Sequence, residues 1–434
     1  MANVKSLTSS PLVRRVLKGM GAWGSAQVAT IVIQLASLPI FLSFWSIETY
    51  GTWLTLTTIP SYLALADFGF LTATSNKMIA LESVGKHKEA NVSFQSAIMF
   101  ILAVSAVMMV LALAGMETVS WAFPKLEQYS GVVLVLTVAV VVSLFGSLAQ
   151  TVFVATQGFA AGTYLYTVAR MLDWIGSIVG LVVGGTFMSV ALYGTVCRFA
   201  FTLYFIYLSH RRRPDIKWGL RDASKQELRD SLKPATLFMV FPLASALSLQ
   251  GFIVLVTATL GPAATAVFSS YRTIARIVVQ CAAALSQSMW PEFSRMHSTQ
   301  EVDRLRRTYT HAARLSSGIG LAASLTVLAI SPLLIAYWSK GHIAFSWSLM
   351  GAFMVYSLIA SMWHVPRVML MSVNQHALLA RQYFTFSMLS LVLGVVLARE
   401  IGIMGPVLAM VAGEVAMWLA SRRSVSNMWQ AAPA

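Results

Sequence analysis

Polar residues that can bind an anion recur along one face of a predicted helix. The apolar segment 264–288 carries polar side chains at spacings of three, four, four and seven residues: Ser269, Arg272, Arg276, Gln280 and Gln287. At 3.6 residues per turn these positions share one face. Guanidinium groups match phosphate oxygens in a bidentate geometry, so Arg272, Arg276 and Gln280 are candidates to bind a pyrophosphate or an acidic sugar. The alternatives are an internal ion pair and contact with lipid headgroups.

Two neighbouring apolar segments add three more charged residues. Arg170 and Asp173 lie three positions apart in 164–184, where they can neutralise each other or contact a substrate. Arg198 lies in the middle of 187–208 with no acidic residue one turn away, so we expect a partner on another helix or a watery cavity. We count both arginines as candidate substrate ligands and Asp173 as a candidate for ion coupling.

Two further carboxylates fall inside apolar segments. Asp67 follows Pro60 in the second segment, and Glu414 lies in the last one. Either can bind a proton or a cation that drives transport, or pair with an arginine to hold the structure. The histidines form no metal-ligand spacing, and there is no phosphate-binding GxxxxGK[ST] loop. We therefore expect no metal, no cofactor and no enzymatic activity.

The composition requires a membrane to position these residues. Of 434 residues, 57% are hydrophobic and 11% are charged, whereas soluble domains carry roughly 25% charged residues. The apolar residues come in blocks of about twenty, the length that crosses a bilayer. The blocks lie at 20–42, 50–72, 93–114, 131–152, 164–184, 187–208, 236–258, 264–288, 313–336, 345–366, 377–397 and 402–420. We predict an all-α polytopic membrane protein with about twelve transmembrane helices.

The net charge of +15 lies mainly in the connections between these blocks. With about twelve spans, the basic connections all fall on one side, and the other side holds only Lys125, Lys340 and Arg399. Positive loops face the cytoplasm, so we predict that both termini are cytoplasmic. The charge then reflects topology and contact with anionic membrane lipids, and we expect no nucleic-acid partner.

The most charged connection, 209–233, divides the chain into two similar parts. We predict an N-terminal bundle of about six helices over 1–208, a cytoplasmic linker over 209–233 and a C-terminal bundle over 234–434. Each part begins with a span, a short turn containing Gly51 or Gly261, and a polar span. Transporters built from repeats of this kind bind substrate between the repeats, near the bilayer midplane.

Two stretches carry a resemblance to a known family. The first runs from Tyr50-Gly51-Thr52-Trp53 to Leu65-Ala66-Asp67-Phe68-Gly69, and the second runs from Leu260-Gly261 through Tyr271-Arg272 to Trp290-Pro291-Glu292-Phe293-Ser294. Both resemble the polysaccharide (O-antigen, Wzx-type) flippases of the multidrug/oligosaccharidyl-lipid/polysaccharide exporter superfamily. The resemblance covers the whole chain in topology and these two stretches in residues.

The resemblance implies two helical bundles around a central cavity. It also implies a flippase that moves an undecaprenyl-pyrophosphate-linked oligosaccharide, such as an O-antigen repeat unit for lipopolysaccharide, across the bacterial inner membrane. Transport would be coupled to an ion gradient, and the polysaccharide polymerase and chain-length machinery would be partners. Buried arginines, among which we count Arg381, outnumber buried acids, which disfavours the alternative of a multidrug or small-molecule cation antiporter. A membrane-embedded glycan polymerase would need longer outer loops.

Overall fold

A computed structural model describes residues 11–67, 69–122, 128–373, 375 and 377–431. These residues are nearly all helical and contain no β-strand, which confirms the predicted all-α polytopic class. Phe68 of the first resembling stretch and Lys125 of a predicted outer loop lie outside the described residues.

The helices are numbered here in chain order. The first eight are α1 (Pro11–Phe41), α2 (Ile47–Leu56), α3 (Thr58–Leu63), α4 (Phe70–Ser83), α5 (His87–Ala122), α6 (Ser130–Ala155), α7 (Phe159–Gly184) and α8 (Phe187–Arg212). The others are α9 (Lys225–Ala246), α10 (Phe252–Leu260), α11 (Pro262–Ser288), α12 (Trp290–Ser298), α13 (Val302–Trp338), α14 (Trp347–Ser372), α15 (Ala377–Ile401) and α16 (Met404–Ala431). A π-helical turn, Leu247–Gly251, joins α9 to α10.

Ten helical stretches among the described residues are long and apolar enough to cross a membrane. The predicted spans at 50–72 and 264–288 are not among them. The second of these is nevertheless one continuous helix of 27 residues, α11, whose polar stripe lowers its hydropathy.

The prediction of one continuous helix over 50–72 is wrong. The chain forms α2, then α3, then a turn that ends at Gly69 before α4 begins. Gly69 has a φ of 70°, a left-handed conformation that glycine adopts without strain. Pro60 lies in the first turn of α3, where its missing N–H breaks no helical hydrogen bond.

The two predicted glycine turns have different outcomes. Gly51 lies inside α2, because that helix begins earlier, at Ser46, whose hydroxyl accepts a hydrogen bond from the backbone N–H of Thr49 at 3.1 Å. Gly261 does form a turn: its φ is 87°, and Pro262 opens α11 at a position that suits proline. The prediction therefore placed this turn a few residues too late in the chain.

Contacts divide the chain into two compact units. The first contains residues 1–44 and 59–239, and the second contains residues 45–58 and 240–434. Helix α2 therefore belongs to the same unit as α10–α16. In the first unit a core cluster forms around Phe70, Phe94 and Leu148. In the second unit the corresponding cluster includes Phe293 and Trp363.

Helices α7 and α8 of the first unit pack closely because glycines line their contact. A Cβ on Gly180 would overlap the backbone of Ser189, and one on Gly194 would overlap the Ser177 hydroxyl. Small residues of this kind let membrane helices approach each other. The close approach brings charged side chains of the two helices together.

The connection after α8, residues 213–224, is held against the start of α5. The side chain of Asn91 accepts from the backbone N–H of Lys217 at 2.7 Å and donates to Asp222 at 2.9 Å. Gln95 likewise donates to the Lys217 carbonyl at 3.2 Å. Trp218 packs edge-on against Phe94 with ring centroids 5.1 Å apart. This connection is therefore an ordered part of the first unit.

In the second unit α2 packs directly against α10 and α11. Gly51 lies against the carbonyl of Pro262, and a Cβ at this position would overlap that oxygen. One turn further, the hydroxyls of Thr55, Thr257 and Thr265 form a chain, with Thr257 2.7 Å from Thr55 and 2.8 Å from Thr265. These contacts fix the position of α11, which carries the polar stripe.

Candidate functional site

Arg272, the first arginine of the stripe, is buried and committed to a neighbouring backbone. Its Nη1 donates to the carbonyl oxygen of Leu249 at 2.6 Å, and its guanidinium lies 5.1 Å from the centroid of the Phe268 ring. Leu249 belongs to the π-helical turn, where the α-helical hydrogen-bond ladder is interrupted. Arg272 is only 6% exposed, so its main contacts lie inside the protein.

Arg276, one turn along α11, is in a different situation. It is half-buried, and among the described residues no hydrogen bond or ion pair holds it. Its charge interacts with Tyr356 of α14, and it repels Arg272. A half-buried guanidinium keeps hydrogen-bond donors available for an anion. Arg276 is thus the arginine of the stripe that is best placed to contact a ligand.

Ser269 precedes Arg272 along α11, and Gln280 follows Arg276. Ser269 is buried and its hydroxyl has no hydrogen-bond partner. Gln280 is half-buried, one turn beyond Arg276. The order along the helix is therefore a buried end at Ser269 and Arg272, followed by half-buried residues at Arg276 and Gln280.

Glu414 is buried inside the second unit and receives a short hydrogen bond. Its Oε2 accepts a hydrogen bond from Nε1 of Trp363 at 2.6 Å, and the residue is only 6% exposed. A small cavity adjoins this carboxylate. Its polar lining comes from Ser248, Tyr383, Ser387, Ser390 and Glu414, and its apolar lining includes Phe252, Phe386, Met410 and Met417. Hydroxyl and carboxylate oxygens beside a π-helical turn are suited to bind a proton or a small hard cation.

In the first unit Asp173 pairs with Arg198 and not with Arg170. Arg198 donates from Nη1 to Oδ2 of Asp173 at 2.9 Å, across the contact of α7 and α8. Arg170 donates to the hydroxyl of Thr30 on α1 at 3.2 Å. The local pair that the spacing of three residues suggested is therefore replaced by one between helices, because the glycines bring α8 within reach.

Asp67 lies outside any helix, in the turn between α3 and α4. Its Oδ1 accepts from the backbone N–H of Gly69 at 3.3 Å. Aspartate side chains commonly bond to the backbone two residues on in such turns. The structure thus places Asp67, Asp173 and Glu414 in three separate environments, and a small cavity adjoins Glu414.

The sequence analysis misplaced two arginines. Arg381 is exposed on the first turns of α15, so counting it as buried was wrong. Arg367 directly follows the predicted span 345–366 and so fell in a predicted connection, but it lies within α14 beside Phe241 and Trp363. The reason is that α14 continues to Ser372, beyond the predicted end of the span. A basic residue near an apolar block carries no sequence signal that separates a helix end from a loop.

One group of residues has the composition of a metal site. Ligand atoms of Glu82, His87 and Asp215 lie within 4.8 Å of one another. The guanidinium of Arg213 already occupies this group, since it donates to Glu82 at 2.7 Å and to Asp215 at 2.5 Å. It also holds the pKa of Asp215 below its ordinary value. The arginine supplies the positive charge that a metal would bring.

Comparisons with known proteins agree with this architecture. A family model described as "Polysaccharide biosynthesis protein" matches residues 48–338. No curated protein matches the chain.

Solved structures resemble the chain over almost its whole length. An inward-facing multidrug resistance MATE family transporter of the MOP superfamily has a TM-score of 0.76 at 15% identity, covering 93% of this chain and 96% of that chain. An outward-facing structure of such a transporter has a TM-score of 0.67 at 15% identity, covering 95% and 96%. The lipid II flippase MurJ, in an inward closed conformation, has a TM-score of 0.72 at 13% identity, covering 93% and 87%. At such identities the similarity establishes the fold.

Proposed function

The chain belongs to the polysaccharide biosynthesis protein family, and from that premise we propose that it is a lipid-linked oligosaccharide flippase. The cargo would be an undecaprenyl-pyrophosphate-linked repeat unit, moved from the cytoplasmic to the periplasmic face of a bacterial inner membrane. The observation that carries this proposal is Arg276, a half-buried cation on a membrane-length helix with no partner among the described residues. An unpaired cation at membrane depth is costly and marks a substrate path.

Within this function the polar residues of α11 have separate roles. Arg276 contacts the pyrophosphate or an acidic sugar, and Gln280 adds a neutral hydrogen-bonding group one turn away. Arg272 holds the π-helical turn through its hydrogen bond to Leu249, and its positive charge adds to the attraction for an anion at Arg276. Arg170 and Arg198 of the first unit remain candidate substrate ligands, and their present partners, Thr30 and Asp173, would have to exchange for cargo oxygens.

Glu414 is the carboxylate that we propose for coupling to an ion gradient. It is buried, adjoins a small cavity that several hydroxyl groups line, and accepts a hydrogen bond from Nε1 of Trp363. A proton or a small cation that binds there changes the charge inside the second unit. Asp173 is a weaker candidate because Arg198 neutralises it, and Asp67 is weaker because it stabilises a turn.

The orientation and the partners belong to the same proposal. The basic connections support a cytoplasmic location for both termini. A repeat unit delivered to the periplasm must then be polymerised, so the polymerase and chain-length machinery are the expected partners.

The test of this function is made in cells that lack the gene. The face of the inner membrane that holds the lipid-linked glycan is determined by access to an impermeant glycan-labelling reagent. We expect glycan to remain on the cytoplasmic face, wild-type protein to restore delivery, and Arg276→Gln to reduce delivery by about tenfold or more, because a charged hydrogen bond is lost. Arg381→Gln removes an exposed arginine and serves as the matched control.

The second candidate function is a MATE-type transporter of small molecules. The observation that favours it is the full-length similarity to multidrug resistance transporters. If glycan reached the periplasm normally in cells without this protein or any substitute flippase, this candidate would replace the first. Efflux of cationic dyes from the same cells would then depend on Glu414.

A further inference from the structure

Two buried nitrogen atoms on consecutive turns of α14 have no hydrogen-bond partner among the residues that the structure describes. They are Nε of Arg367 and Nδ1 of His364. His364 is 8% exposed, and Arg367 is half-buried. Within the described parts of the chain no ion pair or hydrogen bond reaches the guanidinium of Arg367. Residues three positions apart are neighbours on a helix surface, so the two nitrogens lie on one side of α14.

Aromatic rings surround Arg367 but leave its donors unused. Its guanidinium lies 5.9 Å from the ring centroid of Phe241 and 5.6 Å from that of Trp363. Ring faces attract the charge and orient the guanidinium plane. They accept no hydrogen bond of normal strength from its five N–H groups. The rings therefore position a cation whose hydrogen-bonding requirement is met by something else.

The nearest carboxylate does not neutralise this arginine directly. Glu414 influences Arg367 electrostatically, but no ion pair of 4.0 Å or less joins them in the described structure. Trp363 contacts both groups, since its ring faces Arg367 and its Nε1 donates to Glu414. The indole thus donates the hydrogen bond that Glu414 accepts, and the guanidinium of Arg367 keeps its donors available for another acceptor.

We propose that Arg367 and His364 form an anion site of the second unit that binds a phosphate group. Guanidinium and imidazole N–H donors together match the tetrahedral oxygens of phosphate, and the planar fork of arginine favours a bidentate contact. The phosphate can come from the pyrophosphate of the lipid-linked cargo, in which case the site rests on the proposed function and is a second cation position besides Arg276. It can equally come from an anionic phospholipid headgroup.

The experiment uses the purified full-length protein in a neutral detergent. Farnesyl pyrophosphate and phosphatidylglycerol are titrated separately, and binding is measured from the rise in Tm. We expect saturable binding to the wild type and a Kd about tenfold or more higher for Arg367→Gln. Arg367→Lys keeps the charge without the fork and should fall between the two. Arg381→Gln, at an exposed position of α15, is the comparison variant that leaves Arg367 and His364 intact.

Each result has a defined meaning. Loss of farnesyl pyrophosphate binding in Arg367→Gln supports the site with the cargo as the source, and loss of phosphatidylglycerol binding alone supports it with phospholipid as the source. Equal affinities of wild type and Arg367→Gln for both probes overturn it, as does an equal loss of affinity in Arg381→Gln. These results leave the cellular glycan assay untouched, so failure of the site and failure of the flippase function are distinguishable.

Folding of the variant provides a second check. Because Arg367 makes ring contacts but no hydrogen bond or ion pair in the described structure, Arg367→Gln should lower the Tm measured without ligand only slightly. A large drop in this Tm together with retained phosphate binding would overturn the proposal, because Arg367 would then serve the fold.

Discussion

Arg272 donates from its Nη1 to the carbonyl oxygen of Leu249 at 2.6 Å, and this hydrogen bond ties the polar stripe of α11 to the π-helical turn between α9 and α10. Arg276, one turn away, has no such bond among the described residues. The two arginines occupy equivalent positions of one helical stripe but have different roles. Arg272 holds a neighbouring backbone segment, whereas Arg276 keeps its hydrogen-bond donors available for a ligand.

The bond between Arg272 and Leu249 predicts a stability effect. Replacing Arg272 with Gln removes a charged hydrogen bond and leaves a carbonyl with weaker pairing, so we expect a loss of about 1.5–3 kcal/mol in the free energy of unfolding. Thermal unfolding in detergent measures this change. Arg381→Gln, on an exposed position of α15, should leave the Tm unchanged. An unaltered Tm in Arg272→Gln would show that the bond contributes nothing.

Gly51 predicts a packing defect. A methyl group at Gly51 would overlap the carbonyl oxygen and carbon of Pro262. These atoms belong to the backbone, which cannot move aside easily. Overpacking of this kind destabilises by about 1–3 kcal/mol or more. Gly51→Ala should reduce the yield of monodisperse protein and its Tm. Gly24→Ala on α1 has free space around the new methyl group, so it should be neutral or slightly stabilising.

The hydrogen bonds of Asn91 should protect the connection 213–224 from hydrogen exchange. Its amide satisfies the backbone N–H of Lys217 and the carboxylate of Asp222. Asn91→Leu keeps the volume but leaves these groups without partners, at a cost of about 1–3 kcal/mol. Hydrogen–deuterium exchange of residues 213–224 should accelerate in this variant. Unchanged exchange would mean that Gln95 and Trp218 hold the connection without it.

The pair of Arg213 and Asp215 predicts a pH dependence. The hydrogen bond from Arg213 lowers the pKa of Asp215, so the folded carboxyl titrates below its ordinary value of 3.8. The stabilisation is then present above that value and is lost as the pH falls through the lower, folded pKa. The protection of residues 213–224, measured relative to the intrinsic exchange rate at each pH, should fall in that acidic window. Asp215→Asn should remove this acid-dependent component, and an identical pH profile in the variant would contradict the assignment.

The residues of the stripe on α11 illustrate what the sequence could predict. The 3.6-residue period places Ser269, Arg272 and Arg276 on one face, and the described helix carries them in that order. Period alone contains no information about the surface opposite. The π-helical turn that occupies Arg272 comes from α9 and α10, whose hydrogen-bond interruption has no simple sequence signal.

Other differences arise from contacts between distant segments. Arg198 reaches Asp173 because glycines let α7 and α8 approach, which a spacing rule within one helix cannot reveal. The break after Leu56 was not predicted, because the apolar composition continues across it and hides the effect of Pro60 and Gly69. His364 and Arg367 were overlooked because hydrogen-bond satisfaction is a property of the folded chain.

Helix α2 has a consequence for synthesis. Residues 45–58 emerge from the ribosome early, yet they belong by contact to the unit built mainly from residues 240–434. Domains generally fold in the order of their translation, but here the later unit closes around a segment made long before it. A gene split within the connection 213–224 would therefore encode a downstream fragment that lacks one helix of its own unit, and only co-expression with the upstream fragment could supply it.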